Sequence, residues 1–193
     1  MAQKLVLPIN DCAINSGYKN ANYRKQFGYM HYGWDLADYK RKDLTVWGCG
    51  TGVVKATGYD NVLGNVVVIV YKNCLLTNGI VRDLTQRIYH LDTIYVKVGQ
   101  RITKDTRIAK YGNTGKYSTG DHLHIEFDTD TNDKYVCWSP TVSKSGNIIK
   151  AGTDSTINPN LCLYVKRSAP DYQNFRGRGY DTVAQSDLAL YTY

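Results

Sequence analysis

Nowhere in this 193-residue chain do apolar residues run long enough to span a bilayer as a helix. No membrane partner is therefore expected. The apolar run near the start, Leu5-Val6-Leu7 before Pro8, is too short for a signal peptide. That absence predicts a protein made in the cytoplasm, or a piece of a longer protein. No Pro-, Gly- or Ser-rich linker, no internal repeat and no helical pattern of useful length interrupts the chain. One domain over residues 1–193 is the expectation. The five cysteines, Cys12, Cys49, Cys74, Cys137 and Cys162, are odd in number, widely spaced and without a C-x-x-C pair. This excludes a disulfide framework and a thiolate zinc site, and predicts buried free thiols.

Histidine is scarce too, with four residues: His31, His90, His122 and His124. No His-Glu-x-x-His is among them, so the glutamate base of that zinc-protease helix is absent. What the chain does have is tyrosine, 17 residues against three each of Phe and Trp, and a formal charge of +7. Such a charge suits polyanions, either nucleic acid or the phosphate-rich polymers of a bacterial wall. The lysines and arginines are scattered and form no known nucleic-acid module, so no specific nucleic-acid partner is expected.

From Leu44 onward the pattern is β. Leu44–Trp47, Gly52–Ala56, Asn65–Tyr71, Arg87–His90, Tyr95–Val98 and Ile108–Tyr111 are β-branched or aromatic runs bounded by glycines. Residues 1–30 read as irregular, apart from an edge strand at Leu5–Leu7, and residues 58–64 read as a loop. An acidic polar turn is expected from Asp128 to Asp133. Residues 129–165 read as a peripheral hairpin, and 166–193 as a tail packed on the domain or disordered.

The stretch from Gly112 to Phe127 organises the rest. A glycine-rich turn leads into an alternating segment carrying His122 and His124, whose side chains share one strand face, roughly 6–7 Å apart at their backbones. Either both bind one metal, or one binds it and the other acts on what the metal holds. Upstream, Asp35 follows His31 by four residues, on one face of an extended segment. His31, Asp35 and one of His122/His124 would supply two imidazoles and a carboxylate, and a catalytic zinc needs about three protein ligands with one open position. The remaining histidines suit oxyanion stabilisation and proton transfer to a leaving amine. Glu126 reads as a supporting or strand-edge carboxylate. The D-alanyl-D-alanine carboxypeptidase pattern is excluded on spacing, because no Glu precedes His122 or His124.

Three motifs in order resemble the lysostaphin/LytM-type zinc endopeptidases: His31-Tyr32-Gly33-Trp34-Asp35, then Tyr89-His90-Leu91 with Val96 to Ile102, then Gly112-Asn113-Thr114-Gly115 through to His122-Leu123-His124. They lie within about residues 29–128. The resemblance implies a mainly β fold, a compact antiparallel sheet of the duplicated-hybrid-motif type with a loop-walled groove. It implies one zinc per chain on His31, Asp35 and His124, with His90 and His122 catalytic. It implies hydrolysis of a cross-bridge or stem peptide of bacterial peptidoglycan. Departures from the family pattern are Asp121 for Pro, Ile125 for Phe, Tyr89 directly before His90, and a long Lys72–Arg87 segment expected to reshape one groove wall. With no signal peptide, a phage lysin or a virion-tail component with tail assembly partners is the expected setting. The competing reading is a non-catalytic wall-binding or assembly domain that keeps the fold.

Overall fold

The computed structural model describes residues 1–28, 30–38, 42–131, 154–168, 174–176, 178–179 and 182–183. Its strands are β1 (Leu5–Val6), β2 (Asp11–Ser16), β3 (Trp34–Ala37), β4 (Thr45–Trp47), β5 (Gly52–Asp60), β6 (Gly64–Leu75), β7 (Val81–Ile94), β8 (Arg101–Ile102), β9 (Arg107–Tyr111), β10 (Leu123–Asp128), β11 (Thr156–Ile157), β12 (Leu163–Val165), β13 (Arg167–Ser168), β14 (Asn174–Arg176) and β15 (Thr182–Val183). Two short helices, α1 (Ala21–Phe27) and α2 (Pro159–Cys162), complete the described elements. The fold is mainly β and its large sheet is antiparallel, as the motifs imply. Along that sheet the order is β13-β14-β2-β3-β10-β7-β6-β5-β8, with β9 joining β4 to β7 and β11 joining β10. No described helix is long and apolar enough to cross a membrane.

The core follows from the alternation of side chains across strands. In β6, Val67 and Ile69 enter the main core with Trp34, Leu36, Ile88, Ile125 and Phe127. Val66 and Val68 face the other way and form a second cluster with Tyr89. Both faces of this strand are buried, so it reads as one unbroken apolar run. Each such side chain contributes about 1.5–3 kcal/mol of transfer free energy. This packing holds β3, β10 and β7 side by side, and the site is built on those three strands.

Several boundaries differ from expectation. The first 30 residues are not irregular, since β2 pairs with β3 and α1 follows. β2 buries Cys12 and Ile14 in alternation, a period too short to stand out among its polar neighbours. Residues 58–60 and Gly64 belong to strands, because Gly58, Tyr59 and Asp60 pair with Val66, Asn65 and Gly64 and leave only residues 61–63 as the turn. Tyr95–Val98 is not a strand, while β7 continues past His90 to Ile94. Asp128, expected to open an exposed polar turn, is fully buried at the end of β10, where its Oδ1 accepts from Asp130 N at 2.7 Å; residues 132 and 133 of that turn lie outside the described residues.

Of the expected hairpin over 129–165, residues 132–153 lie outside the described residues. The remainder makes separate pairings, β11 with β10 and β12 in parallel with β1. From the tail, β14 pairs with β2, and β15 with β12. Arg178 donates to the carbonyls of Leu7, Gly48 and Lys104 and lies over the Trp47 ring. Cys12, Cys49, Cys74 and Cys162 are buried free thiols, and burial pushes Cys49 to about 11 and Cys74 to about 12. Cys137 lies outside the described residues.

Candidate metal centre and its groove

Register places the first two groups. In the middle of the sheet, Asp35 of β3 stands directly opposite His124 of β10, and His124 stands opposite Tyr89 of β7. Trp34, fully buried, anchors β3 beside Asp35. Gly33 allows the close approach. A Cβ there would lie 2.1 Å from the Ile125 carbonyl oxygen and 2.9 Å from His124 Nε2, so only glycine fits between His31 and Asp35. His31 precedes the strand and is 2% exposed. Its carbonyl accepts from Lys19 N, and its Nδ1–H donates to Gly17 O at 2.8 Å with Ser16 Oγ at 3.2 Å.

The glycine-rich turn positions the other two imidazoles. Gly112 N donates to His90 O, and His122 N donates to Gly112 O. Gly115, at φ +94°, packs where a Cβ would lie 2.5 Å from Val62 O. His90 itself adopts φ +61°, a left-handed backbone that is costly for a residue with a side chain. Its Nδ1–H donates to Thr114 O at 2.9 Å, and His122 Nδ1–H donates to Gly120 O at 2.7 Å.

All four imidazoles thus share one arrangement. One ring nitrogen is tied to an outer acceptor, which sets the tautomer and leaves the other nitrogen for the cavity. For His124 the outer acceptor is Glu126, whose Oε1 lies 3.2 Å from Nε2. The inner atoms His31 Nε2, Asp35 Oδ1 and His124 Nδ1 lie 3.1, 2.8 and 3.1 Å from one another. A tetrahedral zinc with bonds of about 2.0–2.1 Å needs donor separations near about 3.3 Å, and the triangle meets that within a few tenths. Two ring nitrogens and a carboxylate oxygen converge on one point, a donor arrangement that a cation between them would satisfy. The donor set therefore fits a divalent metal with nitrogen and oxygen preference.

The remaining expected residues stand beside the triangle. His122 Nε2 is 3.7 Å from Asp35 Oδ1, and the His90 and His122 ring centres are 4.7 Å apart. Burial, reinforced by His122 and His124, lowers the His90 pKa to about 3. Burial would raise Asp35, but His31 and His124 outweigh it and hold its carboxyl well below the usual range.

Behind His124 runs a feature that the motifs did not reveal. Tyr89 stacks on the His124 ring at 5.0 Å and its hydroxyl donates to Glu126 Oε2 at 3.0 Å. Arg87, fully buried, reaches Asp128 at 3.0 Å and Glu126 at 3.9 Å. Strand alternation aligns these groups: 124, 126 and 128 on β10 face 89, 87 and 85 on β7. Glu126 is thus no strand-edge carboxylate but the buried partner of an inner imidazole. Glu126→Ala is expected to weaken metal affinity by about 10–100-fold, and Glu126→Gln, which keeps an acceptor, by less. Titration against a chromophoric chelator checks both.

The metal-free protein has a readable pH dependence. Burial lowers the His124 pKa, but hydrogen bonds to Asp35 and Glu126 outweigh it and raise it to about 9. The folded value then exceeds the unfolded value of about 6.5. The folded state holds this proton more tightly, so the stability it contributes is present below about pH 6.5 and is lost as pH rises through about 9. Melting temperatures of chelated protein are expected to fall between those values. With metal bound, which requires the neutral ring, this fall should vanish.

The triangle opens into a cavity of about 410 Å³. Its walls come from α1, from Val62 and Leu63, and from Tyr117 to Asp121. The Lys72–Arg87 segment, expected to form a wall, lines none of it. Its turn instead bonds away from the site, with Thr77 N on Leu161 O and Leu75 N on Gln3 O. The wall residues on α1 escaped the sequence reading, although Asn20 before and Gly28 after are recognisable helix caps.

Among known proteins, the model of Peptidase family M23 matches residues 29–137. Two peptidoglycan DD-endopeptidases of Vibrio cholerae are similar to part of the chain. ShyA is 41% identical over 81 residues and ShyC 35% over 82, each covering 42% of this chain. The chain spans only 16% and 17% of their lengths. A crystal structure of a zinc-containing peptidase from Vibrio cholerae is 28% identical with a TM-score of 0.51, over 65% of this chain and 37% of that one. The family match covers more than half of the chain and contains all five converging residues: this protein belongs to peptidase family M23.

Proposed function

We propose that the chain is a single-domain zinc endopeptidase that hydrolyses peptide bonds in bacterial peptidoglycan. The observation that carries this reading is the triangle of His31 Nε2, Asp35 Oδ1 and His124 Nδ1 with His90 and His122 on the same cavity, in a chain of family M23. The two Vibrio relatives bear the name of peptidoglycan DD-endopeptidases, which supports a cross-linking peptide as substrate. One zinc held by the triangle supplies a Lewis acid for the scissile carbonyl and lowers the pKa of a water towards about 7.

The chain's own residues do the rest. His90, with Nδ1–H tied to Thr114 O, offers Nε2 as the acceptor for a proton of the attacking water. His122, with Nδ1–H tied to Gly120 O, presents Nε2 beside Asp35 Oδ1 and serves the oxyanion and the leaving amine. The walls exclude bulk water and align the peptide. The +7 chain suits a wall rich in anionic polymers. Delivery by a phage lysin or a virion tail, with tail partners, stays a proposal on which the site geometry has no bearing. The non-catalytic alternative gains nothing from a site in which all five positions are filled.

Amine release from purified sacculi of several cross-bridge types, with and without a zinc chelator, tests the reading. Chelator-sensitive appearance of new amino termini is the expected result. No release from any wall type by the zinc-loaded protein would overturn it.

A further inference from the structure

Tyr89 and His90 are consecutive residues of β7, yet both line the cavity. Successive residues of a regular strand point to opposite faces, so the ladder has to be interrupted here. Between the pairs Asn65–Leu91 and Val67–Ile88, β6 supplies one residue, Val66, and β7 supplies two, Tyr89 and His90. The extra residue makes a β-bulge, a device that bends a strand and re-aims a side chain. The left-handed seat of such a bulge commonly holds glycine, and His90 takes it at φ +61°. A residue with a side chain stays in that conformation only where its surroundings over-determine it.

The backbone of His90 is held at both ends, with its N–H donating to Leu63 O at 2.9 Å and its carbonyl accepting from Gly112 N at 3.0 Å. The next carbonyl, Leu91 O, accepts from two side chains, Thr114 Oγ1 at 2.7 Å and Asn65 Nδ2 at 2.9 Å. A carbonyl oxygen has two lone pairs, so these two donors saturate it. Thr114 Oγ1 also accepts from Asn65 N at 3.1 Å, and Asn65 Nδ2 reaches Asp92 O at 3.3 Å. Thr114 thereby grips the bulge twice, because its own carbonyl accepts from His90 Nδ1 at 2.9 Å. Gly64, at φ +71°, makes room for this, since a Cβ there would strike Thr114 Oγ1. On the peptidase reading above, we propose that Asn65 and Thr114 are positioning residues: their clamp on the β7 bulge aims His90 Nε2 at the water it deprotonates. Neither side chain lines the cavity, so both act through His90.

The test uses the full chain, loaded with zinc, and a quenched peptide that carries the bond cut in sacculi. Thr114→Val keeps the shape of the side chain and removes the hydroxyl, whereas Thr114→Ser keeps the hydroxyl. Thr114→Val is expected to lower kcat about 100-fold, the scale of a catalytic group displaced by about 1 Å, with KM and zinc content unchanged. Thr114→Ser should restore most of that loss, and Asn65→Ala should behave as Thr114→Val does. In a His90→Ala background Thr114→Val should cost nothing further, because the residue through which it acts is gone. An unchanged kcat in Thr114→Val, or a further loss of equal size in the His90→Ala background, would overturn the proposal. Nitrogen-15 spectra of the His90 ring make the comparison without turnover. Wild type should show one tautomer with Nδ1–H protected from exchange, and Thr114→Val a mixture with that protection lost. If wild type cuts no bond, the peptidase reading fails and these spectra decide the clamp alone. A single protected tautomer in Thr114→Val then sinks it, and the mixture supports it.

Discussion

His124→Ala is expected to abolish both zinc retention and wall lysis, whereas His122→Ala keeps the zinc and loses only turnover. The two histidines are two residues apart, His122 in a bridge to Gly112 just before β10 and His124 within it, and their neighbours differ. His124 Nδ1 completes the donor triangle, at 2.8 Å from Asp35 Oδ1 and 3.1 Å from His31 Nε2. Removing it leaves two donors, and also strips Glu126 of the imidazole that its Oε1 faces. The loss of affinity should exceed the 10–100-fold typical of a supporting partner. His122 stands outside the triangle, with Nε2 at 3.7 Å from the shared carboxylate. A group that only moves protons or steadies charge contributes typically about 10²–10⁴ in rate. Zinc per chain after gel filtration, read beside amine release from sacculi, separates the cases. Zinc retained by His124→Ala and lost from His122→Ala would reverse the two assignments.

Arg87→Met is expected to produce the largest loss of stability among the variants considered. Arg87 is fully buried, with Asp128 at 3.0 Å and Glu126 at 3.9 Å, both nearly inaccessible to water. Breaking a buried ion pair by removing one partner costs about 3–5 kcal/mol, because the remaining charge stays in a poorly polarisable interior without compensation. For a chain of this length that lowers the melting temperature by roughly 6–20 °C. The triple variant Arg87→Met, Glu126→Gln, Asp128→Asn removes the stranded charges and should recover much of the loss. Urea denaturation of chelated protein measures both without interference from zinc binding. Equal destabilisation of single and triple variants would show that packing, not charge, is what Arg87 provides.

The five residues of the candidate site were legible as a group because their types are rare here and their spacing is tied to strand geometry. Four histidines, one carboxylate four residues after the first, and a His-x-His after a glycine turn leave few arrangements. Strands β4, β5, β6, β7 and β9 were legible, at least in part, through their β-branched or aromatic runs. What escaped depends on contacts rather than pattern. α1 buries no side chain, so no apolar period betrays it, and only its caps do. Gly58 and Gly64 read as breakers but sit inside a long hairpin, where pairing across the ladder outweighs their poor strand preference. Asp128 read as the start of a polar turn because its partner, Arg87, lies 41 residues away. The supporting role of Glu126 was one of its two readings, but its partners on β7 are set by register and were not legible.

That register has a consequence for how the chain reaches its native state. Asp35 and His124 belong to β3 and β10, are 89 residues apart, and face each other as a directly opposed pair. Slipping β10 by one residue would turn His124 to the opposite face and set an apolar side chain, Leu123 or Ile125, against the carboxylate. An ion that binds both residues stabilises one alignment of these strands and none of its neighbours. A metal held by the proposed site would then double as a proofreader of the central seam, and chains folded without it would find the alignment by packing alone.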